Sequence, residues 1–504
     1  MLTLVNKLNI LTFPTVIGLN HHRHPFCLSD VLKDVHNTAN IRTNTILSNS
    51  AYNQVEMFAA SGPLIVTLGS GMTVGFSAVL LPQLKDDRST IKISSHQESW
   101  IASMAALPMA AGSVLGGLAM DRLGRKTTNL LICVPFVLGW TAVSMATGVT
   151  GVYAGRLMTG LSTGLLGPPT AVYIAEVTEQ RYRGAALAMI SFSVSAGILV
   201  VHTMGTFLGW RLVSALCSVV PFAGYVLIWF TPESPVWLRE DEERRRRRRT
   251  AAVCDHASSG IPSRPPPEVD PQPPLQAVKP TARQCFSRPS FLGPLAVLSA
   301  FFFVQQFSGV NAVAFYSVTL LKRVGPDLNE YHCTMALDVI RLAVSVLACG
   351  LTKRFGRRPL AVVSAVGTCA SLICLAASVR DAGAPVTAGS VAVHAVPAPA
   401  TTASLAPVLS IVAYMVFVNI GLVPLPWIMS GEMFPGYCRE LGSGLSTCFG
   451  FIMFYTVIQI SPYLLTNIGT SMTFYIFGTV SGVGALFLYL CLPETKNKSM
   501  EDAT

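Results

Sequence analysis

Asp121-Arg122-Leu123-Gly124-Arg125-Lys126 and Lys353-Arg354-Phe355-Gly356-Arg357-Arg358 are two versions of one charge signature, and each follows a long apolar stretch. The relationship extends outward from them. Tyr173, Glu176 and Arg183 in the first part of the chain are answered by Glu432 and Arg439 in the second, the arginine lying seven positions after the glutamate both times. Pro232-Glu233-Ser234 closes the first set and Pro493-Glu494-Thr495 the second. The chain therefore reads as two copies of one unit, 58–231 and 291–492, running in the same direction.

Of the 504 residues, 51% are hydrophobic and only 12% are charged, and the mean hydropathy is +0.51. Soluble domains carry about a quarter of charged residues, so this is no ordinary soluble globule. Apolar runs of the length that crosses a ~30 Å hydrocarbon layer as a helix recur along it. Twelve are read, at 59–81, 99–120, 129–147, 151–175, 184–208, 212–230, 291–321, 333–352, 359–378, 405–430, 442–466 and 473–492. The expected fold is an all-α membrane protein with twelve transmembrane helices in two parallel-repeat six-helix halves. A linker, 232–290, joins the halves, and polar tails, 1–57 and 493–504, flank them.

The net charge of +10 does not point to nucleic acid, because the cations fall in alternate loops rather than over one face. Arg122, Arg125 and Lys126, Arg181 and Arg183, Arg239 to Arg249, Lys353 to Arg358, Arg439, and Lys496 and Lys498 all share one side if the spans alternate. By the positive-inside rule that side is the cytoplasm, and both termini and the linker lie there. The six consecutive arginines, Arg244 to Arg249, precede a proline-rich stretch that reads as a flexible linker after a helical start. They are candidates for contact with anionic inner-leaflet lipid, and equally for enforcing topology alone. The twelve cysteines form no C-x-x-C pair, and His21, His22, His24 and Cys27 lack further ligands at defined spacing, so neither a disulfide framework nor a metal site is expected. Between the two signature pairs the offset grows from 232 (Arg122 to Arg354) to 256 (Arg183 to Arg439), which places an insertion of 24 residues in the second half. The Ala/Pro/Thr-rich stretch 379–404 accounts for it as an outer loop. Gly112 and Gly116, and Gly160 and Gly164, have the four-residue spacing that lets helices approach closely in lipid.

Several motifs resemble those of the sugar porter family of the major facilitator superfamily: Gly155-Arg156, Pro232-Glu233-Ser234-Pro235, Gln305-Gln306-Phe307-Ser308-Gly309-Val310-Asn311, Pro424-Leu425-Pro426-Trp427 and Pro493-Glu494-Thr495-Lys496. Within that family the chain is most similar to the arthropod facilitated trehalose transporters and related hexose facilitators. The resemblance implies the major facilitator fold, a substrate site near the bilayer midplane between the halves, and transport by alternating access. It implies substrate contacts from Gln305, Gln306, Asn311 and Trp427, an outer closure by Phe315 and Tyr316, and a bend at Pro424 and Pro426. It also implies an inner latch between the halves made by Arg125, Glu176, Arg183, Arg354, Arg357, Glu432 and Arg439. The residues themselves point the same way. Buried amides need partners, and three in one apolar span suggest a polar cavity. Gln305 and Asn311 are six apart, about 120° around an α-helix, and border one cavity if the helix is continuous. Amides both donate and accept, as sugar hydroxyls require, and an indole stacks on the apolar face of a sugar ring.

Five residues at four sites depart from the family pattern. Lys353 replaces an acid, Ser191 stands for a glutamine, Gly450 and Phe451 stand for asparagine and tryptophan, and Arg341 stands for a sugar-contacting asparagine. Asp338, three residues before Arg341, is its expected partner on one helical face. Gly75-Phe76 is followed by Ser77 where proton-coupled sugar porters carry an aspartate, which favours facilitated diffusion. Proton-coupled sugar or polyol symport, and a non-transporting membrane sugar sensor, are the alternatives. No phosphate loop is present, and no grouping of nucleophile, base and orienting residue suggests an enzyme or a cofactor. The expected address is the plasma membrane.

Overall fold

The computed structural model describes residues 49–85, 91–258, 282–313, 330–379, 405–435 and 438–495. Tyr52–Thr504 form one compact unit, and of the other, Met1–Ala51, only residues 49–51 are described. The described elements are helical. The first half runs through α1 (Asn49–Lys85), α2 (Ser95–Ser103), α3 (Ala106–Leu123), α4 (Arg125–Ser144), α5 (Val149–Val177), α6 (Gln180–Phe207) and α7 (Trp210–Phe230). Between the halves come α8 (Pro235–Ser258) and α9 (Ala282–Phe286). The second half follows with α10 (Pro289–Phe307), α11 (Glu330–Arg354), α12 (Arg357–Ser378), α13 (Leu405–Ile420), α14 (Pro424–Glu432), α15 (Arg439–Tyr463), a π-helical turn Leu464–Ile468, and α16 (Thr470–Cys491).

Eleven spans among the described residues are long and apolar enough to cross a membrane, with α2–α3 and α13–α14 each serving as one. The remaining expected span, 151–175, falls on α5, which at 29 residues is long enough. Its glycines, threonines and paired Pro168-Pro169 keep it outside the set defined by hydropathy. Leu115, Leu118, Leu131, Leu138, Val346, Leu347, Val483 and Leu486 are each at least half exposed on the outer faces of their helices. In water such a belt would be a liability, and against acyl chains it costs nothing.

The glycine pairs face one another. A methyl group on Gly112 or Gly116 of α3 would collide with the backbone of α5 at Leu161 and Leu165, and one on Gly160 or Gly164 of α5 would collide with the backbone of α3 at Ala105 and Met109. Without a hydrophobic driving force between helices in lipid, this backbone approach is what holds α3 on α5.

The halves meet most extensively along two lines. α3 meets α15, where Ser113 Oγ donates to the Gly444 carbonyl at 3.4 Å. α6 meets α11, where the Ser195 and Ser345 hydroxyls are 2.9 Å apart. Phe451 and Phe454 of α15 complete the apolar core of the first half, while Ile174, Ala175, Leu187 and Ala188 of the first half extend that of the second.

Candidate functional site

Between the halves lies a cavity of about 150 Å³ bordered by α1, α3, α5, α6, α10, α11, α13, α14 and α15. Gln305, Gln306, Asn311, Trp427, Ser191 and Arg341 are all on its wall. The helix that carries the amides is not continuous. α10 ends at Phe307, and Gly309 takes φ 80°, a left-handed conformation that favours glycine, with Phe477 filling the space a side chain would need. The 120° argument therefore does not apply across the break; the turn itself returns Asn311 to the cavity. There the amides form a relay: Asn311 Nδ2 donates to Gln306 Oε1, Gln306 Nε2 to Gln305 Oε1 at 3.4 Å, and Gln305 Nε2 to the Val423 carbonyl at 3.0 Å. Val423 belongs to a second break. α13 stops at Ile420 and Pro424 opens α14, where its missing N–H is no loss. The relay thus anchors one discontinuous helix on the other and leaves Asn311 Oδ1 without a hydrogen-bond partner among the described residues.

Trp427 packs edge-on against Phe302, with ring centroids 5.3 Å apart, and tilts against Phe451 at 5.5 Å. Gly450 is not on the cavity wall, contrary to expectation. A methyl there would press on the Phe302 ring, 2.7 Å away, and the neighbouring Phe451 borders the cavity instead. Phe315 and Tyr316 lie outside the described residues. Sequence reading missed Thr67, Ser70, Thr163 and Asn419, which add hydroxyls and an amide to the wall. Isolated hydroxyl residues in a helix carry no pattern that marks them, but Asn419 was a visible amide in an apolar run. Arg156 is fully buried, and its guanidinium donates to the Thr73 carbonyl at 2.9 Å and to Ser77 Oγ at 2.5 Å. The residue that stands in place of an aspartate is therefore the direct partner of the signature arginine.

Arg341 is 4% exposed, and its expected ion pair with Asp338 is stretched: Nη1 and Oδ1 are 3.9 Å apart. The physical reason is a stronger competitor. Asp338 Oδ2 is 2.5 Å from His202 Nδ1 of α6, and His202 Nε2 is 3.0 Å from the Gly75 carbonyl of α1. His202, a lone histidine inside an apolar span, escaped the sequence reading. It ties α1 and α6 of the first half to α11 of the second.

At the inner ends charges pair within each half. Arg125 makes a two-pronged bond to Glu176, at 3.0 and 2.9 Å, and Ser234 Oγ donates to Glu176 Oε2 at 2.5 Å. In the second half Arg357 Nη2 donates to Glu432 at 3.0 Å, and Thr495 Oγ1 donates to the same carboxylate at 2.8 Å. The third motif pair supplies the keystone. Glu233 accepts from the backbone N–H groups of Arg125 and Lys126, both at 2.9 Å, and Glu494 accepts from those of Arg357 and Arg358 at 2.9 and 3.2 Å. These are the orphan donors at the N-termini of α4 and α12, where a carboxylate is favoured. Gly124, at φ 91°, and Gly356 leave room for the two carboxylates. The cross-half element of this region is the start of α6: Arg183 lies within electrostatic reach of Glu432 and Arg439, and Gly184 borders Arg357. Arg354 lies over the ring of its neighbour Phe355. Outside the knots, Arg244 of α8 bonds Asp121 at 2.8 Å, and Arg245 and Arg246 pair with Asp241 and Glu242 one turn back.

Known proteins can now be set beside this geometry. The sugar (and other) transporter family matches residues 44–504. The facilitated trehalose transporter Tret1 of Aedes aegypti is 29% identical over 453 residues, covering 87% of this chain and 54% of that protein. That of Culex quinquefasciatus is 28% identical over 453 residues, covering 87% and 84%. The chain thus spans about half the length of the Aedes relative and most of the Culex one. Among solved structures, the proton:xylose symporter XylE of the major facilitator superfamily, bound to 6-bromo-6-deoxy-D-glucose, superposes with a TM-score of 0.69 at 21% identity, covering 90% of this chain and 99% of that one. The inward-open conformation of XylE from E. coli gives a TM-score of 0.62 at 20% identity, with 90% and 99% coverage. The fold is that of the major facilitator superfamily.

Proposed function

The chain belongs to the sugar (and other) transporter family, and we propose that it moves a sugar, trehalose or a hexose, across a membrane by facilitated diffusion. Substrate occupies the cavity between the halves, and alternating access rocks one half against the other. The observation that carries this reading is the amide relay beside Trp427. It places donors, acceptors and an aromatic face around one enclosed space, which is the chemistry a polyhydroxylated ring needs. The names of the curated relatives support trehalose as the first sugar to try.

Uniport is supported by the pairing of Arg156 with Ser77, a hydroxyl that does not exchange a proton in the physiological range. Proton coupling is the second reading, and the imposed pH gradient in the test below separates it from uniport. Charge placement supports a multi-pass protein with both termini cytoplasmic, and the membrane we assign it to is the plasma membrane. In that orientation the arginine run Arg244 to Arg249 faces the anionic inner leaflet.

The test is uptake of labelled trehalose and glucose into proteoliposomes carrying the purified chain, with and without an imposed pH gradient. Saturable uptake indifferent to the gradient is the expected result. Acceleration by an inward proton gradient replaces uniport with symport, and no uptake of either sugar overturns the assignment.

A further inference from the structure

Among the described residues on the cavity wall, Arg341 is the one that carries a charge. A guanidinium offers five N–H donors, and here none meets an oxygen at hydrogen-bonding distance. Asp338 Oδ1 is 3.9 Å away, Nη2 has only the Met415 sulfur at 4.0 Å, and Nε is buried with no partner. Asp338 does not cancel the charge either, as its other contact shows. His202 Nε2 lies against a backbone carbonyl, which only accepts, so Nε2 carries hydrogen. The 2.5 Å contact between His202 Nδ1 and Asp338 Oδ2 then requires one more hydrogen, on the ring or on the carboxyl. With either placement the His202–Asp338 pair is neutral as a unit. Arg341, Asp338 and His202 together therefore carry one net positive charge, and the Arg341 donors have no oxygen at hydrogen-bonding distance among the described residues on the wall of a cavity at membrane depth.

The geometry points to an acidic sugar as the preferred substrate, a ring polyol bearing one carboxylate that seats on Arg341. The charge selects the class: a single guanidinium matches a monoanion, takes a carboxylate by two parallel bonds, and lacks the second cation that a phosphate dianion would need. The amides Gln305, Gln306 and Asn311 with Trp427 remain for the ring and its hydroxyls. This inference rests on the sugar-transport reading above and narrows its substrate.

Proteoliposomes with the full chain separate the two. Uptake of labelled glucuronate is measured against labelled glucose and trehalose, each alone and in competition, for the wild type, Arg341→Gln and Arg341→Lys. The expected result is saturable glucuronate uptake by the wild type, with Arg341→Gln lowering the glucuronate-to-glucose ratio of kcat/KM at least tenfold and Arg341→Lys recovering part of it. Binding to the detergent-purified wild type gives a reading independent of the variants: glucuronate raises Tm more than equimolar glucose. A wild type that carries glucose or trehalose while neither carrying nor being inhibited by glucuronate overturns this inference and leaves sugar transport standing. An unchanged ratio in Arg341→Gln overturns it too, and a wild type that carries none of the three sugars overturns both.

Discussion

Gln306 holds the middle of the amide relay, accepting from Asn311 and donating to Gln305. Gln306→Leu keeps the volume but removes a hydrogen-bond partner from both neighbours, and a lost partner of this kind costs about 1–3 kcal/mol. We expect the KM for the transported sugar to rise about tenfold or more, corresponding to ~1.4 kcal/mol or above, in concentration-dependent uptake. An unchanged KM would show that the relay is scaffolding alone. At this scale the sequence reading picked out polar atoms that interrupt an apolar run, and Gln305, Gln306, Asn311 and Arg341 line the cavity, their part in binding being what the proposed function adds. It was incomplete where a partner came from a distant helix. Asp338 was assigned to Arg341 from their spacing on one helix and does pair with it through Oδ1, at 3.9 Å, but His202, 136 positions away, takes the other oxygen at 2.5 Å. Gly450 was placed at the site by its position in a motif, but without a side chain it serves as the seat for Phe302.

Helices in lipid depend on backbone approach, and the crossing of α3 with α5 shows how strictly. A methyl on Gly164 would strike the Met109 backbone, which has no flexible end to move, whereas one on Gly148 would meet nothing within 4 Å. Gly164→Ala should therefore destabilise by about 1–3 kcal/mol through overpacking, while Gly148→Ala changes little. Thermal unfolding in detergent compares the two, and equal melting temperatures would refute the contact. The spans themselves were legible because length and hydropathy are properties of single segments. The break after Phe307 was not, since Gly309 also reads as an ordinary member of a membrane helix, where glycine is common. Near Pro424 the sequence implied a bend within one span, whereas the helix stops at Ile420 and restarts at Pro424, since proline opens a helix far more readily than it continues one.

The two halves touch along α6 and α11 at hydroxyls 2.9 Å apart, Ser195 and Ser345. If alternating access moves the halves at this line, a covalent tie there stops the cycle. Ser195→Cys with Ser345→Cys should form a disulfide under mild oxidation, abolish uptake, and regain it with reductant. Full activity in the cross-linked protein would place the moving line elsewhere. The repeat was legible at this scale from motif spacing alone, and the spacing also found both members of each inner knot. What it could not find was the direction of pairing. The charge clusters were read together as a latch between halves without partners being assigned, and the bonds of Arg125 with Glu176 and of Arg357 with Glu432 each close inside one half, because the glutamate and the helix start it serves belong to one repeat.

The inner knots also bear on how the molecule is made. Each begins at a helix start near the middle of its half and is completed by a glutamate beyond the last span of that half, so no residue of the other half is needed. Domains emerge and fold from the N-terminal side during synthesis. The first knot is therefore ready to close as soon as Ser234 leaves the ribosome, well before α10 exists. The second stays open until Thr495 has been added, and a chain stopped short of Glu494 would insert all of its spans yet leave the start of α12 uncapped.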